Sequence, residues 1–167
     1  MTRGADELVE IERIKQLKAR YFRFLDTKDW DGFETLFTDD AVLDARQSFY
    51  APHPVTGKPL THGRADLVEG IDTGDMLMAG GKTMADKGRK LFPGVITMHH
   101  GHMPEIEIIS ADEATAIWPM EDRLLFPEGS PIHEVIGFGH YHETYRKVDG
   151  AWKIYRSTLT RLRVHVE

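Results

Sequence analysis

Residues 133–164, HEVIGFGHYHETYRKVDGAWKIYRSTLTRLRV, are two strand-like runs joined through Val148-Asp149-Gly150. An Asp-Gly step between β-rich runs is a strong hairpin signal, because a tight turn needs positive φ and these residues reach it at low steric cost. Two more β-rich runs, 95–108 and 113–126, precede the hairpin, set apart by Ser110-Ala111-Asp112 and Pro127-Glu128-Gly129-Ser130. The C-terminal half therefore reads as one strongly curved antiparallel sheet. The N-terminal half is helical. In residues 5–26, ADELVEIERIKQLKARYFRFLD, the side chains of Leu8, Ile11, Ile14, Leu17, Tyr21 and Phe24 or Leu25 recur at three- and four-residue steps with charges between them. That is one long amphipathic helix, started by Asp6 or a neighbour. Residues 27–37, TKDWDGFETLF, give a second short helix with Asp29 as N-cap and Trp30, Phe33, Leu36 and Phe37 as its apolar side. Residues 38–45, TDDAVLDA, turn into a first strand. Helices first and strands later make an α+β domain.

Between the halves, 47–62 is loop by composition, with Pro52, Pro54, Gly57 and Pro59, and 63–72 is read as a third helix. Residues 73–94 mix Gly74, Gly80, Gly81, Gly88 and Gly94 with Met76, Leu77, Met78 and Met84. They read either as an irregular surface loop with a short helical turn or as a flexible apolar flap over a ligand cavity, since methionine adapts to irregular surfaces.

At 167 residues the chain is expected to be one domain, 1–167, and no repeat or linker divides it. With 41% hydrophobic and 29% charged residues it is far from a disordered composition. The absence of cysteine excludes disulfides, thiolate metal sites and a cysteine nucleophile. A net charge of −6 argues against nucleic acid or an anionic membrane as partner. No apolar run is long enough to span a bilayer and MTRGADELVE lacks a signal-peptide core, so a cytoplasmic location is expected.

Six of the nine histidines fall between positions 99 and 142. His100, His102, His140 and His142 form two H-x-H pairs on neighbouring strands, a weak metal-site signal; as isolated strand residues they are structural or interface histidines, as is His133. A histidine also suits acid–base work, because it titrates near neutral pH. Asp26 ends the long helix; it either acts locally, as a pair for Arg23 or a cap for the following turn, or orients an imidazole by accepting its N–H. Tyr21 lies on the apolar stripe, as a core aromatic or as a donor to a ligand carbonyl. In 113–126 the side chains of Ala114, Ala116, Trp118, Met120, Leu124 and Phe126 share a face by alternation, and Asp122 falls among them. A carboxylate there is costly unless paired or functional. A bulge near Pro119 would instead turn Asp122 outward and Glu121 inward.

The segments RYFRFLDTKDWDGFETLFTDDAVLD (20–44), TMHHGHMPEIEI (97–108) and GFGHYHETYRKVDGAWKIYRSTLTRLRV (137–164) resemble the SnoaL-like branch of the NTF2-like superfamily, similar to scytalone dehydratase and bile-acid 7α-dehydratase. The resemblance is carried by the helix-end D-x-K-D-W, the T-x-H strand motif and the final G-x-W strand. It implies an α+β cone, a curved antiparallel sheet wrapped round the long N-terminal helix and enclosing an apolar pocket. It makes His99 the acid–base histidine, Asp26 its carboxylate partner, Tyr21 a substrate contact and Asp122 a further active-site carboxylate. Leu25 departs from scytalone dehydratase, which has a tyrosine there, and that enzyme's second histidine has no match near Leu124. The implied activity is a cofactor-independent dehydratase or isomerase acting on an apolar cyclic, polyketide- or steroid-like carbonyl compound. Trp118, Met120, Phe138 and Tyr141 are the expected substrate-binding residues, and either Arg156 or Arg161 is a candidate to reach the pocket. The alternatives are a non-catalytic carrier of a small hydrophobic ligand and a metal-dependent enzyme built on the outer histidines. A homo-oligomer is expected, a trimer by resemblance, with a dimer as the other state known in the superfamily.

Overall fold

The structure is a computed structural model that describes residues 4–53 and 55–167; Pro54 of the predicted loop lies outside the described residues. Helix α1, Ala5–Thr27, follows the apolar stripe and buries Ile11, Ile14, Leu17, Lys18, Tyr21 and Leu25 on one face. Its start differs from expectation: Gly4 precedes it in an extended conformation without a side-chain cap, and Asp6 lies in the first turn. There its charge still complements the helix dipole. The helix stops at Lys28, which takes the left-handed conformation (φ 60°, ψ 27°). Helix α2, Trp30–Glu34, is capped as predicted, with Asp29 accepting the Gly32 N–H at 2.9 Å.

Strand β1 covers Phe37–Asp44 and strand β2 Thr61–Gly63. The helix expected over 63–72 shrinks to one 3₁₀ turn, Ala65–Leu67. Gly63 and Gly70, both at positive φ, bracket it and leave no room for a longer helix. Residues 73–94 are more regular than a surface loop with one helical turn. They form a 3₁₀ turn at Gly74–Met76, strand β3 at Leu77–Ala79, and helix α3 at Gly81–Leu91. Met84, Ala85 and Gly88 of α3 are buried. Gly88 presses on the Trp30 ring, where an added Cβ would lie 2.3 Å from the nearest ring carbon.

The run 95–108 divides into strand β4, Ile96–Gly101, and strand β5, Glu105–Ile108. Pro104, which cannot donate to a ladder, falls at the break. The long strands are β6, Glu113–Leu125, β7, Glu134–Val148, and β8, Ala151–Val166. The hairpin turn is at Asp149 and Gly150, both with positive φ. The sheet order is β3-β1-β8-β7-β6-β4, with β2 also on β8 and β5 also on β6. Most pairings are antiparallel, but β1 and β2 run parallel to β8, so the sheet is mixed.

The β6–β7 register runs unbroken from Glu113↔Arg146 to Leu125↔Glu134 and passes Pro119 without a bulge. Alternation therefore puts Asp122 inside with Trp118 and Met120, and Glu121 outside. The same rule moves Phe138 to the outer face, where it is 39% exposed between the inward positions of Gly137 and Gly139. The concave face and α1 close over Ile14, Leu17, Tyr21, Trp118, Tyr141, Tyr145 and Ile154; Val68, Val95, Leu124, Val135, Val164 and Val166 form a second, smaller apolar cluster. Among the described residues no helix is long and apolar enough to cross a membrane.

Candidate active site

The last turns of α1 carry Tyr21, Leu25 and Asp26 to the open end of the cone. There they meet β4 and β6, in which His99 and Asp122 are register partners with both side chains on the concave face. Tyr141 enters from β7 and Arg161 from β8. Tyr21, Leu25, His99, Asp122, Tyr141 and Arg161, but not Asp26, line a cavity of about 100 Å³ together with Met76, Met78 and Met84, Leu91 and Phe92, Leu43, Leu124, Val135 and Leu159. That is smaller than the roughly 150 Å³ of an engineered apolar cavity that admits benzene, so a ring-sized molecule enters only if the adaptable methionine lining gives way. Helix α3 forms its roof through Met84, Lys87, Gly88 and Leu91.

The Asp26 carboxylate is held by three donors. Its Oδ1 accepts the Thr97 hydroxyl at 2.9 Å and faces His99 Nδ1 at 2.6 Å, and its Oδ2 accepts the His99 backbone N–H at 2.9 Å. Burial pushes this carboxyl up, but the His99 ring, the His99 backbone N–H, the imidazole charge and Thr97 together hold it below the usual carboxylate range. An ionised acceptor at Nδ1 fixes a neutral imidazole in the Nδ1–H form, which leaves the lone pair of Nε2 for the cavity. Arg23 takes no part in holding Asp26; the local reading of that carboxylate gives way to a contact across the fold.

Asp122 is buried, and its Oδ2 accepts Arg161 Nη2 at 2.8 Å. Arg161 is fixed by the Ser48 carbonyl at 3.2 Å and by Met120 Sδ at 3.4 Å. Asp122 Oδ1 is buried without a hydrogen-bond partner among the described residues. Gly137 makes room for the pair: a Cβ there would lie 2.3 Å from Asp122 Oδ1 and 2.4 Å from Arg161 Nη1. Gly137→Ala is accordingly expected to destabilise the fold by about 1–3 kcal/mol, the usual effect of overpacking. Denaturant unfolding checks this, and an unchanged midpoint would show that the ion pair is not packed against that strand.

Tyr21 and Tyr141 are buried with their rings 5.9 Å apart. Burial, with the nearby Glu143 charge, pushes the Tyr21 hydroxyl well above the ordinary tyrosine range; burial does the same at Tyr141. Both stay protonated donors at neutral pH. Behind them lies a group that sequence reasoning missed. Lys18, fully buried, donates to Glu143 Oε1 at 2.6 Å, with its ammonium 4.0 Å from the Tyr21 ring centre and 3.8 Å from that of Tyr141. Ser157 donates to the same Glu143 oxygen at 2.8 Å, and the Tyr145 hydroxyl donates to the other. The signal was present: Lys18 stands four residues after Ile14 and three before Tyr21, on the apolar stripe, and Glu143 alternates with Tyr141 and Tyr145.

The remaining predicted positions are placed as follows. Tyr141 lines the cavity, whereas Trp118 and Met120 do not. Trp118 donates to the Tyr145 hydroxyl at 2.8 Å, and Met120 supports Arg161, so both stand one layer behind the cavity wall. Phe138 is corrected outright: strand alternation puts it on the opposite face of the sheet. Arg161 reaches the site, and Arg156 lies outside it. His100 is exposed beside Glu121 at 3.4 Å, and His142 bonds Thr160 at 3.0 Å. Among the described residues no three His, Cys, Asp or Glu side chains gather as metal ligands would.

Comparison with known proteins bears on the family and the fold. The SnoaL-like domain family matches residues 6–158. Probable cyclase FGR4 of Gibberella zeae is 26% identical over 153 residues, covering 89% of each chain. A protein named as a candidate scytalone dehydratase from Novosphingobium aromaticivorans superposes with a TM-score of 0.69 at 22% identity, over 94% of this chain and 87% of its own. The hexachlorocyclohexane dehydrochlorinase LinA-type3 of Novosphingobium barchaimii gives a TM-score of 0.70 at 18% identity, over 97% of this chain and 92% of its own. At these identities the structural likeness is one of fold.

Proposed function

The chain belongs to the SnoaL-like domain family, and on that footing we propose that it is a cofactor-independent lyase or isomerase acting on a compact, apolar carbonyl compound that also carries a hydroxyl. One observation carries the reading. An imidazole pinned through Nδ1 by a half-buried carboxylate lines an apolar cavity together with Tyr21, Tyr141 and a buried carboxylate with a free oxygen.

In this reading His99 Nε2 removes a proton from the carbon next to the carbonyl. The Tyr21 and Tyr141 hydroxyls donate to the carbonyl oxygen as negative charge grows on it in the transition state. Collapse of the enolate expels the hydroxyl of the neighbouring carbon, which leaves as water with the proton now on His99. One C–H and one C–O bond break and one C=C forms; return of the proton to a remote carbon instead gives the isomer. Asp122, already engaged by Arg161, serves as an acceptor that positions the substrate hydroxyl. Two proteins of similar fold bear names of eliminating enzymes, a dehydratase and a dehydrochlorinase.

The test is a panel of small cyclic β-hydroxy ketones incubated with the protein in D₂O and followed by NMR. Deuterium uptake at the α carbon, with or without loss of water, is the expected result. Binding without any exchange would reduce the site to a ligand carrier.

A further inference from the structure

Lys28 occupies a position where the backbone asks for glycine. It follows α1 in the left-handed conformation, and the capping bonds there are made by backbone alone: its N–H meets the Leu25 carbonyl at 3.4 Å and the Asp29 N–H meets that of Phe24 at 2.9 Å. Glycine would make the same bonds without a Cβ penalty. The side chain, by contrast, is put to use. Lys28 Nζ reaches Thr97 Oγ1 at 2.5 Å and the Leu25 carbonyl at 3.3 Å, and it lies 5.2 Å from the centre of the Phe92 ring in the cavity wall. It is half-buried, and desolvation pushes the ammonium below the usual lysine range against the pull of Asp26.

A threonine hydroxyl has one proton. Since Thr97 Oγ1 accepts from Lys28, that proton is directed to Asp26 Oδ1. The same oxygen faces His99 Nδ1, so three donors fix the carboxylate in one orientation. We infer that Lys28 is a positioning residue for the His99–Asp26 pair, acting through Thr97. This rests on the acid–base role given to that pair above, and it explains why a strained residue with a long side chain stands at a glycine position. Remove the ammonium and the Thr97 hydroxyl is free to turn, Asp26 loses one of its restraints, and the imidazole loses its fixed partner.

Lys28→Gly separates this role from a capping role, because glycine relieves the backbone while deleting the side chain. The variant is expected to melt no lower than the wild type. Long-range ¹H–¹⁵N correlations of the imidazole rings read which His99 nitrogen carries the proton. The wild type is expected to hold the Nδ1–H form, and Lys28→Gly to show a rise in the Nε2–H form together with about a tenfold fall in α-deuterium exchange, the scale of a small misplacement of a catalytic group. Lys28→Arg, which restores a cationic donor, should keep the wild-type pattern. Thr97→Val, with Lys28 intact, should reproduce the Lys28→Gly signature, and it carries the test should Lys28→Gly fold poorly. An unchanged His99 tautomer in both Lys28→Gly and Thr97→Val overturns the inference. A changed tautomer in a protein that exchanges no substrate proton upholds the positioning and overturns the acid–base reading instead.

Discussion

Replacing Lys18 with methionine should destabilise the fold by about 3–5 kcal/mol, the usual consequence of removing one partner of a buried ion pair. The substitution keeps the length and apolar stem of the side chain, so packing against Tyr21, Phe22 and Tyr141 largely survives. What it deletes is the only cation on Glu143 among the described residues, a buried carboxylate whose other donors, Ser157 and Tyr145, are neutral hydroxyls. In a chain of this size about 2–4 °C of melting temperature is lost per kcal/mol, so calorimetry should show a fall of roughly 6–20 °C. The companion variant sharpens the point. Lys18→Met with Glu143→Gln removes both charges and should recover most of the loss, since a buried pair replaced as a unit is often neutral or stabilising. A single variant that melts within a degree or two of the wild type would show that Glu143 finds another cation.

His99→Ala should lower turnover of a responsive substrate by at least about 10²-fold, the lower range for a general base, while leaving the fold standing. The second half of that statement follows from the local bonding. Asp26 keeps the backbone N–H of residue 99 and the Thr97 hydroxyl when the imidazole is gone, so the carboxylate is not stranded. The residual activity measures what the tyrosines and Arg161 contribute by binding and orientation alone. Small imidazoles added to the variant should restore part of the rate, because the deleted ring leaves a hole of matching chemistry. Wild-type turnover in His99→Ala would move the proton transfer to Asp122 and discard the mechanism above.

The parts of the fold that were legible in the chain are those governed by local periodicity. The stripe from Leu8 to Leu25 and the Asp149-Gly150 turn each state their structure in a few residues, and α1 and the β7–β8 hairpin follow them. Inside and outside on β6 was undecided by alternation, since a bulge at Pro119 reverses every later residue; the unbroken pairing with β7 settled it for Asp122. Phe138 and Tyr141 could not both face the cavity, since they stand three residues apart on a strand whose pairing with β6 is unbroken; Gly137 and Gly139 face inward instead, beside Asp122, Arg161 and the Thr160 backbone. Helix α3 was hidden by its glycines. Gly81 and Gly88 are poor helix formers, used because the Glu34 carbonyl and the Trp30 ring come too close for any side chain. Lys18 illustrates the same limit from the other side. A charge on an apolar stripe reads as an interruption until a carboxylate 125 positions away is seen to meet it.

The free oxygen of Asp122 has one more consequence. A buried acceptor without a donor leaves the empty protein less stable, by about 1–3 kcal/mol, than it would be with that bond made. A ligand with a hydroxyl in the right place supplies the bond, whereas a ligand of the same shape with a methyl group there cannot. Pairs of compounds differing only in that group should therefore raise the melting temperature unequally. Heat resistance alone, read across such matched pairs without any assay of turnover, becomes a means of finding what the cavity was shaped to hold.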